Sequence, residues 1–205
     1  RIFCSQIIVT SGGLYTVTGT TTDGTNCSRT REIQVNESII ADLSEDKITI
    51  VDDSENNSIT IDPTNLGIGD YEYALNDFYG EYQDDPYFEN VPAGIHTIYA
   101  RDKNGCGIAT TSVLVIDYPL YFTPNGDGYN DTWNIAGIAT QPDAVVYIFD
   151  RFGKLLKQLS PIGSGWNGTY NGINLPTNDY WFSVEYNEPI DGKRKEFKAH
   201  FTLKR

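Results

Sequence analysis

The chain has 205 residues, 39% of them hydrophobic and 13% aromatic, which supports packed cores and excludes a disordered tail. Its formal net charge of −13 resides wholly in residues 1–117, with 19 acidic and 6 basic side chains, while residues 118–205 hold 9 of each. The acidic part offers nothing to neutralise phosphates and argues against a nucleic-acid partner, and no apolar run approaches the roughly 20 residues of a membrane-spanning helix.

The 19 Gly and 9 Pro stand among 14 Tyr and many Thr, Val and Ile, which is strand-and-turn chemistry. The chain has no Met and no signal peptide at Arg1, so it reads as a fragment whose export signal lies upstream. The first strand signal is Gly13-Leu-Tyr-Thr-Val-Thr, followed by Asp23-Gly-Thr-Asn-Cys27. The stretch Gly94-Ile-His-Thr-Ile-Tyr-Ala-Arg-Asp102-Lys-Asn-Gly-Cys106 repeats it, offset by 81 residues at the Gly and 79 at the Cys. A period of that size is one β-sandwich module. Residues 1–36 are then the last strands of a truncated immunoglobulin-like repeat, and residues 37–117 a complete copy.

Within that copy the strand signals are Lys47–Val51, Ser58–Ile61, Tyr71–Leu75, Ile95–Arg101 and Ala109–Ile116, separated by turn residues such as Asp62-Pro63 and Asn104-Gly105. The neutral remainder starts near Tyr118. Ala144–Phe149 is apolar on both faces and reads as a central, doubly covered strand. Tyr180, Phe182, Val184 and Tyr186 alternate with Trp181, Ser183 and Glu185. Phe197, Ala199, Phe201 and Leu203 alternate with Lys198, His200, Thr202 and Lys204, with a hairpin-like Asn187–Gly192 between the two runs. The fold class is therefore all-β, as tandem immunoglobulin-like sandwiches.

The last module carries a specific likeness. Tyr121-Phe-Thr-Pro-Asn-Gly-Asp-Gly-Tyr-Asn-Asp-Thr-Trp133 is followed by Phe149-Asp-Arg-Phe-Gly-Lys-Leu-Leu156 and Gly165-Trp-Asn-Gly-Thr-Tyr-Asn-Gly172. Then come Asp179-Tyr-Trp-Phe182 and Phe197-Lys-Ala-His-Phe-Thr-Leu-Lys-Arg205. In this order the set resembles the gliding-motility-associated C-terminal domain, the type B sorting domain of Bacteroidetes type IX secretion substrates. The preceding module resembles the immunoglobulin-like repeats of SprB-type gliding adhesins. These resemblances imply a secreted cell-surface adhesin whose sorting domain, at 118–205, is read by the type IX translocon with a PorP/SprF-like outer-membrane partner. They imply a location at the outer-membrane surface or in the medium.

Residues with chemical potential are few. Asn125, Asp127, Asn130 and Asp131 space oxygen ligands and glycines as a Ca²⁺ loop does, although the distal bidentate Glu of an EF-hand is missing. The same residues also suit an Asx-turn network that caps its own backbone, and no other cofactor is indicated. Trp133, Trp166 and Trp181 are either core or a carbohydrate platform, with Trp181 the best candidate for a partner contact. Lys193, Arg194, Lys195, Lys198, Lys204 and Arg205 form a positive cluster that would touch anionic lipopolysaccharide or an acidic translocon surface, or else guard an edge strand. His96 and His200 read as structural, and Asp52-Asp53 and Asp84-Asp85 as loop carboxylates. No nucleophile–base arrangement is visible, so an enzyme is not expected. Cys4 and Cys27 suit a disulfide, leaving Cys106 without an evident partner. Two rival functions remain: direct glycan or surface binding through Phe78, Tyr79, Tyr82 and Tyr87, and service as the accessory end of a secreted hydrolase.

Overall fold

The computed structural model describes residues 7–52, 56–141 and 143–205. Strand β1 (Gly13–Thr20) pairs antiparallel with β2 (Ser28–Val35) in a two-stranded sheet of its own. Tyr15 faces Ile33 and Gly13 faces Val35 across that hairpin, so one side is the more apolar, yet none of its residues is buried.

The next module is a sandwich of two three-stranded sheets. One contains β3 (Ile48–Val51), β4 (Ser58–Ile61) and β6 (Tyr87–Phe88); the other contains β5 (Tyr71–Leu75), β7 (Gly94–Asp102) and β8 (Ile108–Val115). Ile59 and Ile61 from the first sheet meet Ile98, Ala100, Val113 and Val115 from the second, and Leu66 and Val91 close the ends. Strict alternation along β7, where His96, Ile98, Ala100 and Asp102 are buried in turn, follows from the period of two in a half-covered strand.

The C-terminal module is built on a five-stranded sheet in the order β11-β10-β14-β15-β9. Its members are β9 (Tyr121–Phe122), β10 (Val145–Phe149), β11 (Leu155–Leu159), β14 (Asn178–Asn187) and β15 (Arg194–Leu203). The long hairpin β14–β15 matches the two alternating runs of the sequence, and its inner residues Tyr180, Phe182, Val184, Phe201 and Leu203 are buried. The opposing layer consists mainly of connecting segments, which contribute Trp133, Ile135, Ile138 and Trp166, and includes the small pair β12 (Thr169–Tyr170) and β13 (Ile173–Asn174).

Residues 144–149 depart from the doubly covered central strand expected of them. The strand β10 lies one place in from the edge, and only Val146 and Ile148 of its five residues are buried. Val145, Tyr147 and Phe149 face outward and are half-covered by their neighbours. Helical structure among the described residues is limited to three 3₁₀ turns.

Candidate functional site

The C-terminal core is fixed by a pair of tryptophans. Trp133 and Trp166 exchange backbone hydrogen bonds at 2.9 and 2.8 Å, which brings two distant loops into register. Each indole is buried and donates its N–H to a carbonyl, Trp133 to Pro119 and Trp166 to Thr169. Phe201 stacks on Trp133 with centroids 3.9 Å apart and planes at 12°. The sequence left these indoles between core and platform. The structure commits both to the core, since a buried indole needs its N–H paired.

Trp181 faces the other way and is 41% exposed. Strand register places Leu155, Phe149, Trp181 and His200 in one row across the outer face of the sheet. The next row holds Tyr147, Ser183 and Lys198, and Ser183 is buried between its larger neighbours. Phe149, Arg151, Trp181 and Lys198 line a shallow groove of about 310 Å³ there. Side chains on this face are available to a partner without disturbing the core beneath.

The loop Tyr121–Trp133 is a network of Asx turns. Asp131 accepts the N–H groups of Gly126 at 2.6 Å and Gly128 at 2.8 Å. Asp127 accepts the Tyr129 N–H and the Asn125 side chain, which together hold its carboxyl below the usual carboxylate range. Asn125 caps the Asp127 N–H, and Asn130, at φ 51°, places its carbonyl on the Thr123 N–H. Of the residues proposed as Ca²⁺ ligands, Asn125, Asp127 and Asp131 thus have side-chain oxygens engaged by the loop's own donors, and Asn130 its backbone carbonyl. Among the described residues no three His, Cys, Asp or Glu side chains converge in a metal-holding group.

The six basic residues read as one positive cluster are separated by the fold. At one end of β15, Lys193 pairs with Asp191 at 2.6 Å and Glu45 at 3.7 Å, and Lys195 pairs with Glu45 and Glu188. Arg194 pairs with Glu185 at 3.2 Å, and Lys198 with Glu196 at 2.8 Å. At the far end Lys204 stands 3.9 Å over the Tyr121 ring, and Arg205 donates to the carbonyls of Leu175, Gly168 and Pro124. With a rise of about 3.3–3.4 Å per residue, Arg194 and Arg205 lie roughly 35 Å apart. Sequence neighbourhood had merged two ends of one strand.

The Lys193–Lys195 end is also where the preceding module sits. Asp52 accepts the Ile116 N–H at 2.9 Å, and Glu188 accepts the Leu114 N–H at 3.3 Å. Burial pushes the Asp52 carboxyl up to about 6, an effect the Ile116 N–H opposes and the negative Glu188 and Asp117 reinforce. Burial also raises Glu188, offset in part by Lys195 and the Leu114 N–H. Nothing local in the sequence marked this pair, because each carboxylate meets a backbone group more than 60 residues away.

The remaining candidates fall into structural roles or exposed loops. His96 is buried; Asn76 Oδ1 accepts the Thr97 N–H, which turns the Asn76 amide nitrogen toward His96 Nδ1 at 2.8 Å. Nε2 lies 2.6 Å from Pro92 O, so both ring nitrogens have a partner. His200 is exposed beside Trp181, with ring centroids 6.2 Å apart. Asp102 is buried; burial raises its carboxyl, but the Cys106 N–H and further donors around the turn outweigh that and hold it at about 2. The Cys106 thiol is free and donates to Ser38 O at 2.8 Å, and Cys27 is free and exposed. Cys4 and Asp53, named in the disulfide and carboxylate readings, lie outside the described residues. In the loop 76–88, Tyr79 is 91% exposed, Phe78 packs edge-on against Tyr79 and Tyr99, and Arg101 lies 3.8 Å over the Tyr82 ring.

The chain is thus all-β, and its C-terminal module encloses an aromatic core and turns a second aromatic row outward. Residues 116–203 match the family model described as the CHU_C type IX secretion signal domain. The C-terminal module is therefore a type IX secretion signal domain, and a signal of this kind implies export across the outer membrane. No curated protein matches the sequence. Among solved structures, the chain is similar to dimeric latent PorU from Porphyromonas gingivalis, at 14% identity and a TM-score of 0.29, covering 87% of this chain and 22% of that one. It is also similar to the BSP domain of a biofilm associated protein, at 15% identity and a TM-score of 0.25, covering 77% of this chain and 29% of that one. The chain spans less than a third of either solved chain.

Proposed function

We propose that the C-terminal module is the address by which the type IX translocon, through a PorP/SprF-like outer-membrane partner, recognises the chain and places the modules ahead of it on the cell surface or in the medium. The observation that carries this reading is the division of labour in the five-stranded sheet. Its inner face is consumed by the core, while the row Leu155–Phe149–Trp181–His200 faces outward at the signal domain matched by residues 116–203. Recognition of this kind needs a few aromatic anchors on a rigid face. The modules act by binding, without a catalytic step. The test is direct binding of the chain to the purified PorP/SprF-like protein. Trp181→Ala should weaken binding at least about tenfold, as expected for an aromatic anchor, with unchanged melting. Equal binding by the variant would remove the outer row from the account.

A second reading, that the module at 37–117 binds neutral glycans as an adhesin, is favoured by the aromatic ledge at Phe78 and Tyr79. Planar rings held by a fixed turn suit stacking on sugar faces, and the Tyr79 N–H is anchored to Asp77 at 2.9 Å. Loss of binding on a glycan array after Tyr79→Ala supports this reading; failure of the parent chain to bind any neutral glycan refutes it.

A further inference from the structure

The strand β8 alternates between two cores. Val113 and Val115 belong to the core of the preceding module, whereas Leu114, and Ile116 just past the strand, belong to that of the C-terminal module, at 1% and 0% exposure. A strand has two faces, and each face here is committed to a different module. Polar contacts follow the same line. The Leu114 and Ile116 N–H groups end on Glu188 and Asp52, one carboxylate from each side of the junction. Lys195 bridges Glu188 of its own module and Glu45 of the other. The backbone closes up as well: Asp117 and Ala136 pair, and a Cβ on Gly137 would run into Val115 O. Gly137 at φ +90° meets that approach with the residue that has no Cβ.

We propose that the C-terminal module and the module before it form one cooperative unit, joined through the two-faced strand β8, so that a partner meets a docked pair rather than a domain on a flexible tether. The matched segment 116–203 omits Leu114, which completes its core. The partner here is in cis, and its surface is the outward side of the β5-β7-β8 sheet. The consequence for export rests on the function proposed above: the Lys193–Lys195 end is occupied by the preceding module, while the outer sheet face and the opposite end stay free.

Hydrogen exchange on the whole chain tests the coupling. Leu66 is buried in the preceding module, in a segment whose carbonyl accepts the Asp42 N–H. It shares a core with Ile98 and Ala100 of β7, and Gly94, at the start of β7, meets Gly137. Leu66→Ala, with Leu66→Val as the milder variant, should speed exchange about tenfold or more in β5 and β7 and equally in β14 and β15, since a cooperative unit opens as one. Faster exchange confined to β5 and β7 overturns the proposal and leaves the export reading standing. Coupled exchange in a chain that is not exported refutes the export reading and leaves the coupling standing.

Discussion

Phe201 is the residue on which the C-terminal core depends most visibly. It is fully buried and packs against five rings: Trp133 at 3.9 Å, Phe122 at 5.9 Å, Trp166 at 6.0 Å, Phe182 at 6.2 Å and Tyr180 at 6.3 Å. Truncating a buried Phe to Ala costs about 3–5 kcal/mol through lost transfer energy and the cavity left behind. The stacked pair with Trp133 adds about 0.5–1.5 kcal/mol beyond its area. The loop partners are themselves cross-linked by the Trp133–Trp166 bridge and cannot collapse easily into the space, so Phe201→Ala should cost about 4–5 kcal/mol. For a chain of this size that lowers Tm by roughly 8–20 °C. Phe201→Leu, which keeps most of the apolar volume, should cost clearly less than Phe201→Ala, and His200→Ala, on the outer face, no more than about 0.5 kcal/mol. Calorimetry checks the series. A loss below about 1 kcal/mol for Phe201→Ala, or equal losses at 200 and 201, would refute the assignment of inner and outer faces.

Three further outcomes are expected. Asp52 has a folded pKa of about 6, above its ordinary value of 3.8, so the fold holds a proton that the unfolded chain releases. Stability from this group is greatest below about pH 4 and is lost as pH rises through about 6. Asp52→Asn should thus stabilise the fold at pH 7.5 by about 1–3 kcal/mol more than at pH 4, read from denaturant unfolding; equal shifts at both pH values would count against the junction geometry. Gly168 sits at φ +76°, where a Cβ would strike Leu203 Cδ1, so Gly168→Ala should cost at least about 1 kcal/mol, and an unchanged denaturant midpoint would contradict the packing. The Asx network already satisfies Asp127 and Asp131, so millimolar Ca²⁺ should leave Tm unchanged; a rise of several degrees would signify a cation bound to the folded state.

The sequence showed most where one periodicity ran unopposed. The β14–β15 hairpin was legible because apolar residues recur at every second position over Tyr180–Tyr186 and Phe197–Leu203. The strand β10 misled because Val145, Tyr147 and Phe149 are as apolar as the buried Val146 and Ile148; composition does not say which face has a partner. Tryptophan identity likewise could not separate Trp133 and Trp166 from Trp181, since the two inner indoles are fixed by loops that meet only in the fold. The basic residues looked like a patch because three of them are consecutive, whereas Glu45, which pairs with both Lys193 and Lys195, is remote in the chain. The double commitment of β8 was present as an unbroken apolar run, Val113-Leu-Val-Ile116, the signal of a strand covered on both sides. It was read as one strand of one sandwich because the second core comes later in the chain.

The central claim is that the last module acts as an export address through its folded surface. Its most direct test places the chain behind an exported fluorescent protein in cells with and without a working type IX translocon, alongside a version lacking residues 196–205, most of β15. Fluorescence should reach the surface or medium only for the intact fusion in translocon-competent cells, and otherwise stay in the periplasm. The same distribution in all of these cells would contradict the account.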